Sequence, residues 1–140
     1  MRVDALLFVT QKDIKIFSKI GQVMEALPDI RLGSQNEVVD CHMLGRAFEN
    51  FFSVKCVDGY YYRRGWRHSW LTTRSGNIID HYPWGMVGGP LLVVNDRFNP
   101  AYRLYLKKEL NGLDEKKEFR LRTQQVIAVM ERTIKALDLR

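Results

Sequence analysis

A chain of 140 residues has room for one continuous hydrophobic core and not for two ordinary ones, so residues 1–140 are read as one domain. Its hydrophobic share of 46% and charged share of 27%, with no low-complexity tract or Pro-rich linker, exclude a wholly disordered chain. The net charge of +6 favours acidic partners without naming one, and because basic charge alone gives only nonspecific affinity, nucleic acid is not the expected partner.

No apolar run approaches the ~20 residues of a membrane span. The apolar stretch Ala5 to Val9 is too short for a secretion signal, so a cytoplasmic protein without a membrane partner is expected. Periodicity leaves that stretch open between a short strand and a helix start. From Thr10, whose pairing with Asp13 resembles a cap, Ile14, Phe17, Ile20, Val23, Met24 and Leu27 follow helical spacing until Pro28, which predicts a helix over 11–27. Val38, Val39, Cys41, Leu44, Phe48 and Phe51 predict a second helix ending near Phe52. Its start is open: Ser34 with Glu37 makes a capping box that would begin it at Gln35, whereas Asp40 as N-cap would place Cys41 in the first turn.

Val54 to Val57 and Tyr60 to Tyr62 are strand formers on either side of Asp58-Gly59, which reads as a hairpin turn. A further hairpin is predicted from His68 to Thr73 and Asn77 to Tyr82 around Ser75-Gly76, with His68, Trp70 and Thr72 on one face and Ser69 and Leu71 on the other. Simple pairing sets Asp80 opposite Leu71, so only a shifted register or a bulge would bring it to His68. After the glycines Gly85, Gly88 and Gly89, Pro90 to Val94 is the last predicted strand. The stretch 114–138 is a predicted amphipathic helix whose stripe Phe119, Val126, Ile127, Met130, Ile134 and Leu137 should pack against the sheet or a second chain, the latter making a homodimer. Helices, then hairpins, then a helix give an α+β fold with an antiparallel sheet.

Residues with nucleophile, base and orienter character occur in the order Cys41, His68, Asp80. A helix N-terminus and a neighbouring imidazolium both favour the thiolate, so a Cys41 in the first helical turn beside His68 is expected to have a depressed pKa. Cys56, within a strand, reads as core filler, and two cysteines make no disulfide framework. His68-Ser69-Trp70-Leu71 followed by Gly76-Asn77-Ile78-Ile79-Asp80 resembles the His-x-Trp and Gly-x-x-x-Asp segments of the transglutaminase-like superfamily within the papain-like cysteine enzymes. The stretch from Asp40-Cys41 to Phe52, with the strand after it, is similar to that family's nucleophile helix and next strand.

The resemblance implies a transglutaminase-like core over about 34–95 and a Cys41, His68, Asp80 triad acting on an amide through a thioester, as a peptidase, amidase or acyl transferase. It further implies Gln35 as the oxyanion-hole residue. The dense aromatics supply Trp66, Trp70 and Trp84 as candidate contacts for a peptide or protein substrate. Cys41, His42, Cys56, His68 and His81 fit none of the usual zinc spacings and no phosphate loop is present, so neither metal nor cofactor is expected. The competing expectation is a noncatalytic basic module on the same fold, binding peptide or nucleic acid through Arg63, Arg64, Arg67 and the aromatics.

Overall fold

A computed structural model describes residues 11–27, 31–32, 37–62, 66–82, 89–110 and 112–139. In chain order the elements are α1 (Gln11–Ala26), β1 (Arg31–Leu32), β2 (Glu37–Val38), α2 (Cys41–Phe48), β3 (Val54–Tyr61), β4 (Arg67–Thr73), β5 (Ile78–Asp80), β6 (Leu91–Val93), a 3-10 turn (Tyr102–Leu104), β7 (Tyr105–Lys107) and α3 (Lys117–Leu137). Strands β3 to β7 form one antiparallel sheet in the order β6-β5-β4-β3-β7, while β1 and β2 pair separately. The architecture is α+β, with three helices and a five-stranded antiparallel sheet among the described residues. None of these helices is long and apolar enough to cross a membrane.

The three helices and one sheet face share the main core. Ile16, Ile20 and Val23 of α1, Leu44, Ala47 and Phe48 of α2, and Phe119, Val126, Met130 and Ile134 of α3 close over Leu71 and Ile79 of the sheet. Four residues of the α3 stripe, Phe119, Val126, Met130 and Ile134, are thus buried within the chain, while Leu137 at its end is exposed. Asp13 is buried, and its Oδ2 accepts from Thr73 Oγ1 and Asn77 Nδ2, each at 2.8 Å, while Thr10, its expected capping partner, lies outside the described residues. These bonds tie α1 to the β4–β5 turn.

Asp58-Gly59 is not a turn: β3 runs through it, with Asp58 opposite Ser69 and Gly59 opposite His68. The glycine answers a packing demand. A Cβ there would lie 2.2 Å from the Leu106 carbonyl oxygen and 2.7 Å from Trp70 Cη2, so a bare Cα lets β7 and the Trp70 ring close over the strand. The β4–β5 register also differs from the simple hairpin: Leu71 faces Ile79 and Thr72 faces Ile78. That one-residue difference puts Asp80 on the face of Trp70 and His68 instead of the face of Leu71.

On that second face Trp70, Ile78 and Val93 form a smaller cluster with Val57, Leu91, Tyr102 and Tyr105. Beside it a cleft of about 710 Å³ is lined by Lys55, Trp70, Thr72, Tyr102, Tyr105 and Lys107, among others. Gly59→Ala should destabilise the protein by about 3 kcal/mol through overpacking against backbone. Gly21→Ala, where an added Cβ meets nothing within 4 Å on helix α1, should stabilise it by up to about 1 kcal/mol. Urea unfolding midpoints compare the two; equal midpoints would remove the close approach at Gly59.

Candidate active site

The chain enters α2 through Asp40, whose extended backbone and Oδ1, accepting from the Met43 N–H at 2.9 Å, make it the N-cap. Of the two expected helix starts the later is realised, and Cys41 occupies the first helical position, buried. Helix α2 ends at Phe48, a turn earlier than expected. Gln35 and the Ser34 capping box lie outside the described residues, as do Arg63, Arg64 and Trp84.

His68 and Asp80 meet on the second sheet face. With Asp80 brought toward Trp70 by the observed register, His68 becomes its diagonal neighbour two residues along β4, within reach of an imidazole. His68 Nε2 lies 2.9 Å from Asp80 Oδ1 and 3.0 Å from Oδ2, with both residues at most 1% exposed. A carboxylate only accepts, so Nε2 carries the proton and Nδ1 presents its lone pair. Among the described residues nothing bonds that Nδ1. The carboxylate takes two further donors, the Tyr105 hydroxyl on Oδ2 at 2.7 Å and the Tyr82 N–H on Oδ1 at 3.2 Å.

Cys41 touches the residue that follows each member of this pair. The Ser69 backbone N–H lies near the Cys41 sulfur and favours its thiolate form. His81 Nε2 donates to the Cys41 carbonyl at 2.8 Å. No hydrogen bond joins Cys41 to His68, consistent with the unbonded Nδ1. The expected depression of the Cys41 pKa is reversed: burial pushes the thiol up to about 12, and the negative charges of Asp40 and Asp80 add to this against the Ser69 N–H. The helix N-terminus does not outweigh desolvation here. Burial raises Cys56 to about 12 as well, and its sulfur packs under α2, where a Cβ on Gly45 would come within 2.6 Å of it.

A second polar chain occupies the helix-facing side of β4. Arg46 of α2 grips Asp58 with Nη1 and Nη2 at 3.1 and 2.7 Å, and its Nε reaches Asp114 at 2.7 Å. Ser69 Oγ donates to Asp58 Oδ1 at 2.5 Å, so its oxygen accepts from His42 Nδ1 at 2.6 Å. Burial opposes ionisation of Asp58, yet the Arg46 guanidinium and the Ser69 hydroxyl hold its carboxyl below the usual value. Burial pushes His42 below its usual value and His81 down to about 4.

His42, His81, Ser69, Asp58 and Tyr105 carried no signal as site residues in the sequence. The Asp58-Gly59 turn reading hid the Asp58–Ser69 pair, while strand alternation past Asp80 offered a route to His81. Among the proposed substrate contacts, Trp70 is 2% exposed and lines the cleft on its sheet face, and Trp66, beside Tyr62, is 38% exposed. Among the described residues no three His, Cys, Asp or Glu side chains converge as a metal site requires. The chain matches no family model, no curated protein and no solved structure.

Two measurements follow from the burial of these groups. With both thiols raised to about 12, iodoacetamide should alkylate Cys41 and Cys56 slowly at neutral pH, faster with rising pH, and at free-thiol rates in urea. Rapid labelling of folded Cys41 at mildly acidic pH, read by peptide mapping, would contradict the raised thiol. His81 titrates near 4 in the fold against an ordinary 6.5, so the unfolded chain binds its proton first. Stability should therefore fall as pH drops from about 6.5 to about 4, by up to about 1.4 kcal/mol per unit. His81→Gln should flatten that slope in pH-dependent unfolding, leaving a remainder from His42, which is shifted the same way.

Proposed function

We propose that this chain is a cysteine-dependent amide hydrolase or acyl transferase of papain-like, transglutaminase-like type, with Cys41 as nucleophile, His68 as base and then acid, and Asp80 as orienter. One observation carries the reading: a buried His68–Asp80 pair with the Nδ1 lone pair unspent, and Cys41 in contact with the residue after each member. His68 is held in the tautomer that a base needs, since Asp80 fixes the Nε2 proton. Attack by the Cys41 sulfur on an amide carbonyl passes the thiol proton to His68 Nδ1. The C–N bond then breaks as the leaving amine takes that proton, and the thioester is resolved by water or by a second amine.

A neutral resting thiol makes the proton transfer part of the attack, as with a serine nucleophile, instead of an event that precedes it. Closure of the Cys41–His68 hydrogen bond accompanies substrate binding, because catalytic hydrogen bonds are commonly loose without ligand. The same neutral thiol favours the second reading, a noncatalytic basic module binding an acidic peptide.

Acylation by p-nitrophenyl acetate separates the two. The expected result is a burst of nitrophenolate and an acetyl thioester on Cys41, found by peptide mass mapping. Cys41→Ala should abolish it while unfolding near the wild-type midpoint; His68→Ala should abolish it as well but unfold at a lower midpoint, because it strips the buried Asp80 carboxylate of a donor. Asp80→Asn should slow it by up to about ten-thousandfold without ending it. Absence of any Cys41 adduct, together with salt-sensitive retention on an acidic peptide column, would leave the binding module.

A further inference from the structure

We propose that Tyr105 is a positioning residue for the His68–Asp80 pair, fixing the rotation of the Asp80 carboxylate and sharing its charge so that His68 remains a usable base. The inference rests on the catalytic reading of that pair.

Asp80 is wholly buried, and its two oxygens are anchored separately: Oδ1 by the Tyr82 N–H at 3.2 Å, Oδ2 by the Tyr105 hydroxyl at 2.7 Å. With both anchored, His68 Nε2 meets the carboxylate almost symmetrically, at 2.9 and 3.0 Å. The hydroxyl is the shortest of these contacts and comes from a different strand. Its ring cannot swing away, because it packs edge-on to Trp70 and to Tyr61, each with centroids 5.2 Å apart. Burial and then the Asp80 charge push the Tyr105 pKa up, so the hydroxyl keeps its proton and stays a donor.

The consequence for the base has a definite sign. A carboxylate stabilised by several donors interacts less strongly with an imidazolium than one served by His68 alone. Without the Tyr105 hydroxyl, Asp80 holds the protonated His68 more firmly. The other titratable groups facing the pair are Tyr61 from β3, His81 beside Asp80, and Cys41 and His42 from the start of α2. All are common to wild type and variant, so the comparison isolates the hydroxyl.

Tyr105→Phe in the full chain keeps the ring and removes only that donor. Acetylation of Cys41 by p-nitrophenyl acetate should be about tenfold slower, with the acidic limb of its pH profile moved upward. The proton on His68 Nε2, followed by NMR, should move downfield as its bond to Asp80 tightens; this reads the pair without any turnover. Tyr61→Phe trims a hydroxyl from the same aromatic cluster and should leave all three readings unchanged. A Tyr105→Phe protein with wild-type rate, unmoved limb and unmoved resonance overturns the proposal, as do equal losses in Tyr61→Phe, which would mark a packing effect. If Cys41→Ala and His68→Ala acetylate as wild type does, the catalytic reading fails instead and takes the positioning role with it.

Discussion

The buried carboxylate of Asp80 is the constraint on which the arrangement of the sheet depends. An ionised group removed from water costs several kcal/mol unless donors replace its hydration. Asp80 finds them on three segments: His68 on β4, the Tyr82 N–H just past β5, and Tyr105 on β7. Strands β5 and β7 are three places apart in the sheet order, about 14 Å if the sheet were flat. A tyrosine side chain cannot cover that distance beside its neighbours. The sheet must therefore coil over its His68 face, and Gly59, bare on that face between Trp70 and Leu106, is the point that permits it.

Strand β4 separates two polar systems by its pleat. His68 points to the coiled face and joins Asp80 and Tyr105; Ser69, the next residue, points to the helices and joins Asp58, Arg46 and His42. Cys41 lies against the strand's backbone at this junction, near the Ser69 N–H. Beyond Leu71 and Ile79 no further β4–β5 pair is made, which leaves the strand backbone open to the incoming helix end. Two polar networks thus meet beside Cys41, each resisting displacement of the α2 N-terminus.

Local chemistry was legible in the sequence where it decides the structure alone. Helix α1 keeps its expected bounds to within a residue, although Ile14 of the expected stripe is exposed and Ile16 is buried, and the Ser75-Gly76 hairpin stands with Gly76 at a φ of +85°, which a glycine accepts freely. Residue types and order marked Cys41, His68 and Asp80 as candidates, of which the structure joins His68 and Asp80 by a hydrogen bond. What tertiary packing decides was not legible. Asp58-Gly59 has the composition of a turn, but a glycine demanded by close strand approach has the same composition, and only the positions of Trp70 and Leu106 distinguish them. The register beyond the hairpin turned on one residue, which no propensity resolves, and Tyr105 matters solely because the sheet coils.

The Cys41 thiol shows the same limit in its electrostatics. Position at a helix N-terminus argued for a thiolate, and the helix is there, but it has only eight residues and is capped by a carboxylate. Burial adds a desolvation cost, and Asp80 adds a second negative charge that faces the same sulfur. The three act together against ionisation, with the Ser69 N–H opposing them. A thiol held neutral in this way is protected from adventitious alkylation and oxidation, since both follow the thiolate. In the proposed reaction its activation depends on an acceptor placed to take the proton as the new bond forms; His68 Nδ1 has an unspent lone pair of that character, as does His81 Nδ1 on the other side of Asp80.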